Sequence, residues 1–309
     1  MLPPQQPCMK TTALLSRRRF VTTVGTGAGA VAMRSFRLPA ADRPLSELSF
    51  LVITDTHLGY QDKDAAEKQW LKTAAELARA PGAFVLHLGD VVDGGREPQY
   101  ARYLAGRKLI GKPVHEIPGN HDPQELFERH LRKVVNLALE HEWLRVLLIN
   151  NSRTESHDGF ITPDQLAWLG DQCAQAAKLD QRLLFAMHVP VHTNGPPDRG
   201  WYVKPAHGQR EFYALLEKHA ARTIALFHGH FHNGLRGWDD RAPVHEISFP
   251  SALYNLDRKL AAKPAPGYNL PEFRPGFTRV RIRDGVLELA YQPVGAAELA
   301  KKQLSLKPV

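Results

Sequence analysis

The stretch SFLVITDTH, residues 49–57, predicts a buried strand that ends in side chains able to hold a metal ion. Its first half is a short apolar run that includes the β-branched residues Val52 and Ile53, which is typical of a strand covered on both faces. Asp55 and His57 follow directly. The same order, an apolar run and then metal-binding residue types, recurs further along the chain, so the connections between these strands decide the fold.

Strand patterns alternate with helix patterns along most of the chain. Thr162 and Pro163 predict the start of one helix, as N-cap and first helical residue, and Asp284-Gly285 predicts a tight turn between two late antiparallel strands. The alternation predicts an α/β fold with a largely parallel sheet, helices on both faces and antiparallel strands added late. The predicted strands lie at or within 49–55, 83–90, 112–122, 143–151, 182–188 and 223–230, and the predicted helices at 64–80, 163–178 and 209–220.

Five predicted strand ends carry Asp, Asn or His. The segments are DTH (55–57), GDVVD (89–93), GNHD (119–122), HVP (188–190) and HGHFH (228–232). Parallel strands place their carboxyl ends at one edge of a sheet, where ligands bind, so these segments are expected to meet there. In HGHFH, an extended backbone would point alternate imidazoles the same way. We therefore expect this segment to aim several ring nitrogens at one cation.

Together, these segments resemble the signature blocks of the calcineurin-like metallophosphoesterases, in that family's order, across residues 55–232. The resemblance implies a four-layer α/β/β/α sandwich with mixed sheets and a centre of two divalent or trivalent metal ions. It assigns Asp55, His57, Asp90 and His232 to the first ion, and Asp90, Asn120, His188 and His230 to the second, with Asp90 bridging. Imidazole, carboxylate and amide ligands suit Mn, Fe or Zn.

The resemblance also implies a reaction, the dinuclear-metal-dependent hydrolysis of a phosphate ester by a metal-bridged hydroxide. His121 is expected to protonate the leaving alkoxide, and Asp93 to orient its ring. Asp122 is ambiguous, since it could cap the helix that follows Pro123. Substrate contacts are expected in the Pro- and Gly-rich segment 192–208. They are His192, Arg199, Trp201, Tyr202 and His207.

Several functions share these blocks. Class III cyclic-nucleotide phosphodiesterases and glycerophosphodiesterases have the most similar motif set, and the absence of an arginine pair in the blocks favours a small phosphodiester over a phosphomonoester. DTHLGY (55–60) also resembles the start of Mre11-like nucleases, although DNA binding requires a basic track. A non-catalytic scaffold is a third alternative. Loss of metal-binding residues would mark such a protein, whereas every block here is complete.

The net charge of +8 over 309 residues is concentrated at the amino-terminal end. Six of the 40 Lys and Arg residues lie in residues 1–40, which contain no acidic residue, and the remaining 34 nearly balance 32 acidic residues. The sequence therefore predicts no specific nucleic-acid surface.

The same amino-terminal segment has the features of an export signal. SRRRFV (16–21) resembles the twin-arginine motif, and the uncharged stretch from Val21 to Met33 is shorter than the ~20 residues that span a bilayer. We expect residues 1–40 to be a twin-arginine signal peptide, read by the twin-arginine export machinery. Residues 41–309 are then expected to be a single metallophosphoesterase domain without a membrane span, located in the periplasm or outside the cell.

Overall fold

The computed structural model of the chain describes residues 47–61, 63–192, 200–238, 244–255 and 270–307. In chain order, the strands are β1 (Leu48–Ile53), β2 (Val85–His87), β3 (Val114–Glu116), β4 (Leu137–His141), β5 (Leu144–Ile149), β6 (Arg182–Met187), β7 (Thr223–His228), β8 (His245–Ser248), β9 (Gly276–Arg283), β10 (Val286–Pro293) and β11 (Ala300–Ser305). The helices are α1 (Lys63–Arg79), α2 (Glu97–Ile110), α3 (Gln124–His130), α4 (Pro163–Lys178) and α5 (Gln209–Lys218). The predicted signal peptide and Arg199 lie outside the described residues.

The strands form two mixed sheets. The first has the order β11-β10-β9-β1-β2-β3, in which β1, β2 and β3 are parallel and β9, β10 and β11 are antiparallel. The second has the order β4-β5-β6-β7-β8, in which only β4 is antiparallel to its neighbour. The carboxyl ends of β1 to β3 and of β5 to β8 are thus available for a ligand site.

Alternation of side chains along β1 shows how the layers are stacked. Phe50 and Val52 belong to an apolar core shared with residues of the second sheet, and the rings of Phe50 and Phe227 on β7 lie 6.5 Å apart. Leu51 and Ile53 point the other way and pack with residues of α1 and α2. On the far side of the second sheet, a third core contains residues of α4 and α5. The predicted four-layer α/β/β/α sandwich is therefore confirmed.

For two of the elements that are not predicted above, the structure shows the reason. The helix α2 contains Gly106, which weakens the helical pattern, yet a Cβ at this position would overlap with the indole ring of Trp70 on α1. Close contact between the two helices thus requires the glycine. The other element is β4, an edge strand whose residues are only partly buried, which leaves little apolar pattern to recognise.

Two predicted local structures are confirmed. Thr162 caps α4 by accepting a hydrogen bond from the Gln165 backbone N–H, and Pro163 is the first helical residue. Asp284 and Gly285 connect β9 and β10 with φ angles of 52° and 73°, as a tight hairpin turn requires. Within the described part of the chain, none of the helices combines the length and apolarity that crossing a bilayer requires.

Candidate metal centre

The predicted metal-binding residues meet at the carboxyl ends of strands from both sheets. Asp55 and His57 follow β1, Asp90 follows β2, Asn120 follows β3, His188 follows β6, and His230 and His232 follow β7. All seven side chains are buried. Because β1 to β3 and β6 to β7 belong to different sheets, the site lies where the two sheets meet at one edge.

Four of these residues form a first donor group, made of Asp55, His57, His232 and Asp90. His232 Nε2 lies 3.0 Å from Asp55 Oδ1 and 3.2 Å from His57 Nε2. His57 Nε2 lies 3.7 Å from Asp55 Oδ1 and 3.5 Å from Asp90 Oδ2. The ligand atoms of Asp55, His57 and His232 all lie within 4.8 Å of one another, and Asp90 joins them through its contact with His57.

A second donor group consists of Asp90, Asn120, His188 and His230. His188 Nε2 lies 3.2 Å from Asp90 Oδ2 and 3.2 Å from His230 Nδ1. Asn120 Oδ1 is buried and has no hydrogen-bond partner in the described structure. Buried polar atoms are rarely left without a partner, and this oxygen is available to a cation.

The donor spacing fits a metal ion. Nitrogen and oxygen ligands lie about 2.0–2.2 Å from ions such as Zn²⁺, so two ligands at a right angle are about 3 Å apart. The two groups share this spacing and offer imidazole, carboxylate and amide atoms, the ligand chemistry of Mn, Fe and Zn. The two groups also have one atom in common, Asp90 Oδ2, which faces both His57 and His188. The other oxygen, Asp90 Oδ1, accepts the backbone N–H of His121 at 2.9 Å.

Hydrogen bonds outside the two groups orient the ligands. His188 Nδ1 donates to Leu88 O and His232 Nδ1 donates to Tyr254 O, both at 2.7 Å. Their Nε2 atoms therefore face the centre and are the nitrogens that would bind a metal ion. Asp55 Oδ2 accepts from Thr54 Oγ1 at 2.6 Å and from the His230 backbone N–H at 3.1 Å, which leaves Asp55 Oδ1 for the first group.

The backbone around the centre is strained. Five of the seven predicted ligands have positive φ angles, a region that residues other than glycine rarely occupy. The residues are Asp55 (56°), His57 (42°), Asp90 (52°), His230 (73°) and His232 (53°). Such conformations persist only where surrounding structure enforces them, and they concentrate at functional sites.

The HGHFH segment differs from the extended backbone predicted for it. The strand β7 ends at His228, and His230 and His232 both adopt left-handed conformations. The two imidazoles reach different donor groups because the chain turns after β7. The alternation of an extended strand was the wrong explanation, because His228 does not share their direction. Its Nε2 instead pairs with Glu246 Oε1 at 2.8 Å, behind the centre.

His121 lies beside both donor groups. Its Nδ1 donates to the backbone carbonyl of Asp93 at 2.7 Å, and its ring centre is 4.8 Å from that of His57. The Asp93 carboxylate is closer to His57 Nδ1, at 3.2 Å, than to His121 Nδ1, at 3.6 Å. The expected contact between Asp93 and the ring of His121 is present, mainly through the Asp93 backbone carbonyl, and the Asp93 carboxylate also contacts His57.

Asp122 does not cap α3. Its carboxylate accepts hydrogen bonds from the backbone N–H groups of Val91, Val92 and Gly119, at 2.9–3.0 Å. Burial, and then the charge of Asp90, raise the pKa of Asp122 to about 6. The residue ties the segment after β2 to the segment after β3, and so holds Asp90 next to Asn120.

The carboxylates and histidines of the centre shift each other's pKa values. Burial raises the pKa of Asp55 and of Asp90, but neighbouring histidines outweigh burial and lower both well below the usual range. Burial lowers the pKa of His57 and of His188, but the nearby carboxylates outweigh it and raise these values to about 10 and about 9. In the absence of metal, protons on these histidines therefore balance the carboxylates.

The five predicted substrate contacts have different surroundings. Trp201 stacks on His157 with ring centres 4.3 Å apart and lies 5.8 Å from the ring of His230. His192 is buried near His228, with the ring centres 6.0 Å apart. Tyr202 is covered by Lys204 Nζ at 3.7 Å, and His207 stacks on Phe160 at 4.2 Å. Arg199 lies outside the described residues. Of the four residues that the structure describes, Trp201 lies next to a predicted metal ligand, His230.

Sequence reasoning missed three residues at this site. His157 Nδ1 lies 3.3 Å from Asn120 Nδ2, and Tyr60 and Tyr254 stack on each other at 4.8 Å beside His57. A signal existed for His157, because NNSRTESH (150–157) follows the parallel strand β5 and therefore begins at the same sheet edge. Tyr254 sits just before a stretch outside the described residues, and its position follows from the tertiary fold alone.

Gly119 is expected to be irreplaceable because a Cβ there would overlap with Asp90 Oδ1 and with the Asp90 backbone nitrogen. We predict that Gly119→Ala displaces Asp90, lowers metal content and destabilises the fold by about 1–3 kcal/mol. Gly170→Ala on α4 is the matched control, since its Cβ meets open space and should stabilise by up to about 1 kcal/mol. Thermal unfolding and metal analysis of both variants test this. Normal metal content in Gly119→Ala would contradict it.

Comparison with known proteins agrees with this geometry. Residues 48–234 match the family described as Calcineurin-like phosphoesterase. The chain belongs to this family. As a calcineurin-like phosphoesterase, it is a phosphoric ester hydrolase with a metal centre.

Its relatives include a glycerophosphodiester phosphodiesterase of Enterobacter lignolyticus, 28% identical over 59% of this chain and 69% of the relative. A 3',5'-cyclic adenosine monophosphate phosphodiesterase of Haemophilus influenzae is 27% identical over 84% of this chain and 93% of the relative. Among solved structures, a dimetal phosphatase from Danio rerio superposes with a TM-score of 0.65 at 13% identity, over 84% of this chain and 99% of that one. The last similarity concerns the fold alone.

Proposed function

We propose that this phosphoesterase hydrolyses a small phosphodiester of the nucleotide or glycerol type with two metal ions, drawn from Mn, Fe and Zn. The observation that carries the proposal is the position of Asp90 Oδ2, which faces His57 of the first donor group and His188 of the second. A single carboxylate oxygen between two donor groups is what a bridging ligand provides. When bound, a metal pair activates water and neutralises charge on the phosphate oxygens.

The residues of the chain supply the remaining steps. His121 Nδ1 is committed to Asp93 O, so Nε2 is the nitrogen that can carry a proton to the leaving alkoxide. The Asp93 carboxylate, at 3.2 Å from His57 Nδ1, holds that ligand in one tautomer. Proton delivery and ligand orientation are thus combined in one residue pair.

A diester is preferred on two grounds. The five blocks contain no arginine that could match the additional negative charge of a monoester. The relatives compared above are phosphodiesterases, one for glycerophosphodiesters and one for a cyclic nucleotide.

A substrate panel tests the proposal. Metal-reconstituted protein should cleave bis-(p-nitrophenyl) phosphate with a higher kcat/KM than p-nitrophenyl phosphate, and should cleave cyclic nucleotides or glycerophosphodiesters faster than single-stranded DNA. A preference for the monoester would replace the diester assignment. Preference for DNA would favour a nuclease, and no activity with any metal would favour a scaffold.

Metal affinity should depend on pH. The pKa values of about 10 for His57 and about 9 for His188 mean that both imidazoles are protonated at pH 7 without metal, whereas a metal ligand must be neutral. Raising the pH from 7 to 9 should strengthen binding, by up to about tenfold per pH unit for each proton released. Calorimetric titrations in buffers of different ionisation enthalpy measure both the affinity and the protons. Equal affinities at the two pH values would contradict the prediction.

We also propose that residues 1–40 direct export by the twin-arginine pathway. Arg17 and Arg18 are the arginine pair of SRRRFV, and Arg19 occupies the variable position that follows. Replacing Arg17 and Arg18 together by Lys should retain the protein in the cytoplasm, whereas Arg19→Lys should leave export unchanged. Cell fractionation of a bacterium with this pathway distinguishes the two results. Export of the double variant would argue against the twin-arginine route.

A further inference from the structure

His157 is placed to control one ligand of the second donor group. Its Nδ1 lies 3.3 Å from the side-chain nitrogen of Asn120, while Asn120 Oδ1 is buried without a hydrogen-bond partner in the described structure. His157 itself belongs to none of the groups of described His, Cys, Asp and Glu residues that could hold an ion. In the described structure the imidazole contacts Asn120, a predicted ligand of the second ion.

The contact matters because the two ends of an amide differ in chemistry but hardly in shape. The oxygen has lone pairs for a cation, whereas the NH₂ group has only hydrogens to offer. An Asn ligand can therefore turn its wrong end toward an ion unless a partner recognises the nitrogen. A ring nitrogen with a lone pair accepts the N–H of Asn120, and it would repel Oδ1 in the flipped orientation.

The ring of His157 is itself held in place. It stacks on Trp201 with ring centres 4.3 Å apart and an interplanar angle of 20°. The His157 ring centre is also 6.4 Å from that of His121 and 6.0 Å from that of His230. Trp201, which the sequence suggested as a substrate contact, thus has a structural partner beside the second donor group.

We infer that His157 is a positioning residue that presents Asn120 Oδ1 to the second metal ion, and that Trp201 supports it. The inference rests on the proposed two-ion function. Partners of metal ligands typically contribute 10- to 100-fold to metal affinity. His157 should thus contribute to the second ion and not to the first, because the first donor group does not include Asn120.

Two substitutions separate the two interactions of His157. His157→Phe keeps an aromatic ring to stack on Trp201 but has no acceptor for the amide of Asn120. His157→Asn loses the ring but can place an oxygen near the position of Nδ1. His130→Phe is the matched control, because His130 also stacks on an aromatic ring, that of Tyr100, at 5.2 Å and 14°.

The test is a calorimetric titration of the metal-free full chain with Mn²⁺, supported by electron paramagnetic resonance of the spin-coupled pair. We expect His157→Phe to weaken binding of the second ion by about 10- to 100-fold and to leave the affinity for the first ion unchanged. His157→Asn should retain more of the affinity, and His130→Phe should match the unsubstituted protein. At saturating Mn²⁺, His157→Phe should regain turnover of bis-(p-nitrophenyl) phosphate with an unchanged KM.

Three results would overturn the inference. Second-ion affinity in His157→Phe equal to that of the unsubstituted protein would show that orientation of Asn120 does not depend on His157. An equal loss of affinity for both ions would indicate a general disruption of the metal centre. A raised KM at saturating Mn²⁺ would make His157 a substrate contact. Failure of the two-ion proposal is recognised separately, since the unsubstituted protein would then bind a single ion.

Discussion

Asp90→Asn is expected to abolish turnover and to remove both metal ions together. Asp90 Oδ1 accepts the backbone N–H of His121, so the oxygen of an asparagine would take that place and its NH₂ group would face His57 and His188. An amide nitrogen has no lone pair for a cation. Loss of the shared ligand removes several kcal/mol of transition-state stabilisation, which corresponds to a rate decrease of about 10³-fold or more.

Asp284→Asn is a suitable control for the backbone. Asp284 and Asp90 both have a φ angle of 52°, and asparagine tolerates this left-handed region. The control therefore makes the same chemical change in the same backbone conformation, in the exposed turn between β9 and β10. Metal analysis and kcat measurements on both variants test the prediction. An Asp90→Asn protein that keeps one tightly bound ion would show that Asp90 belongs to one donor group and not to both.

The layers of the fold could be predicted because their signal is local. Alternation of Phe50 and Val52 with Leu51 and Ile53 defines a strand covered on both faces, and the order of strands and helices gives the topology. The helix α2 was missed because Gly106 is explained only by the approach of Trp70, from a different helix. Helix propensity depends on the local sequence, and it does not include a contact that forms only when two helices pack together.

The candidate site shows the same division. Residue types at strand ends were enough to name the ligands, because parallel strands share one edge. The backbone that aims them could not be predicted, since the left-handed conformations of His230 and His232 are enforced by contacts such as the His230 N–H bond to Asp55 Oδ2, 175 residues away in sequence. The role of His157 likewise depends on a neighbour 37 residues away.

The structure also allows an alternative role for His121, that of a metal ligand instead of a proton donor. His121 lies in a group with His57 and Asp90 whose ligand atoms are all within 4.8 Å of one another, so the geometry also permits it to bind an ion. The hydrogen bond from His121 Nδ1 to Asp93 O is compatible with both roles, because it leaves Nε2 free to carry a proton or to bind an ion. The two roles predict opposite results for metal content.

With His121 as the proton donor, His121→Ala is expected to slow turnover while both ions stay bound. Loss of a general acid typically costs about 10²- to 10⁴-fold. The loss of rate should depend on the leaving group. The p-nitrophenolate ion departs without a proton, whereas the alkoxide of a ribose or glycerol hydroxyl needs one. We thus expect a large loss of kcat on a cyclic nucleotide or a glycerophosphodiester and a much smaller one on bis-(p-nitrophenyl) phosphate. An equal loss on both kinds of substrate, accompanied by loss of metal, would make His121 a ligand of the first donor group.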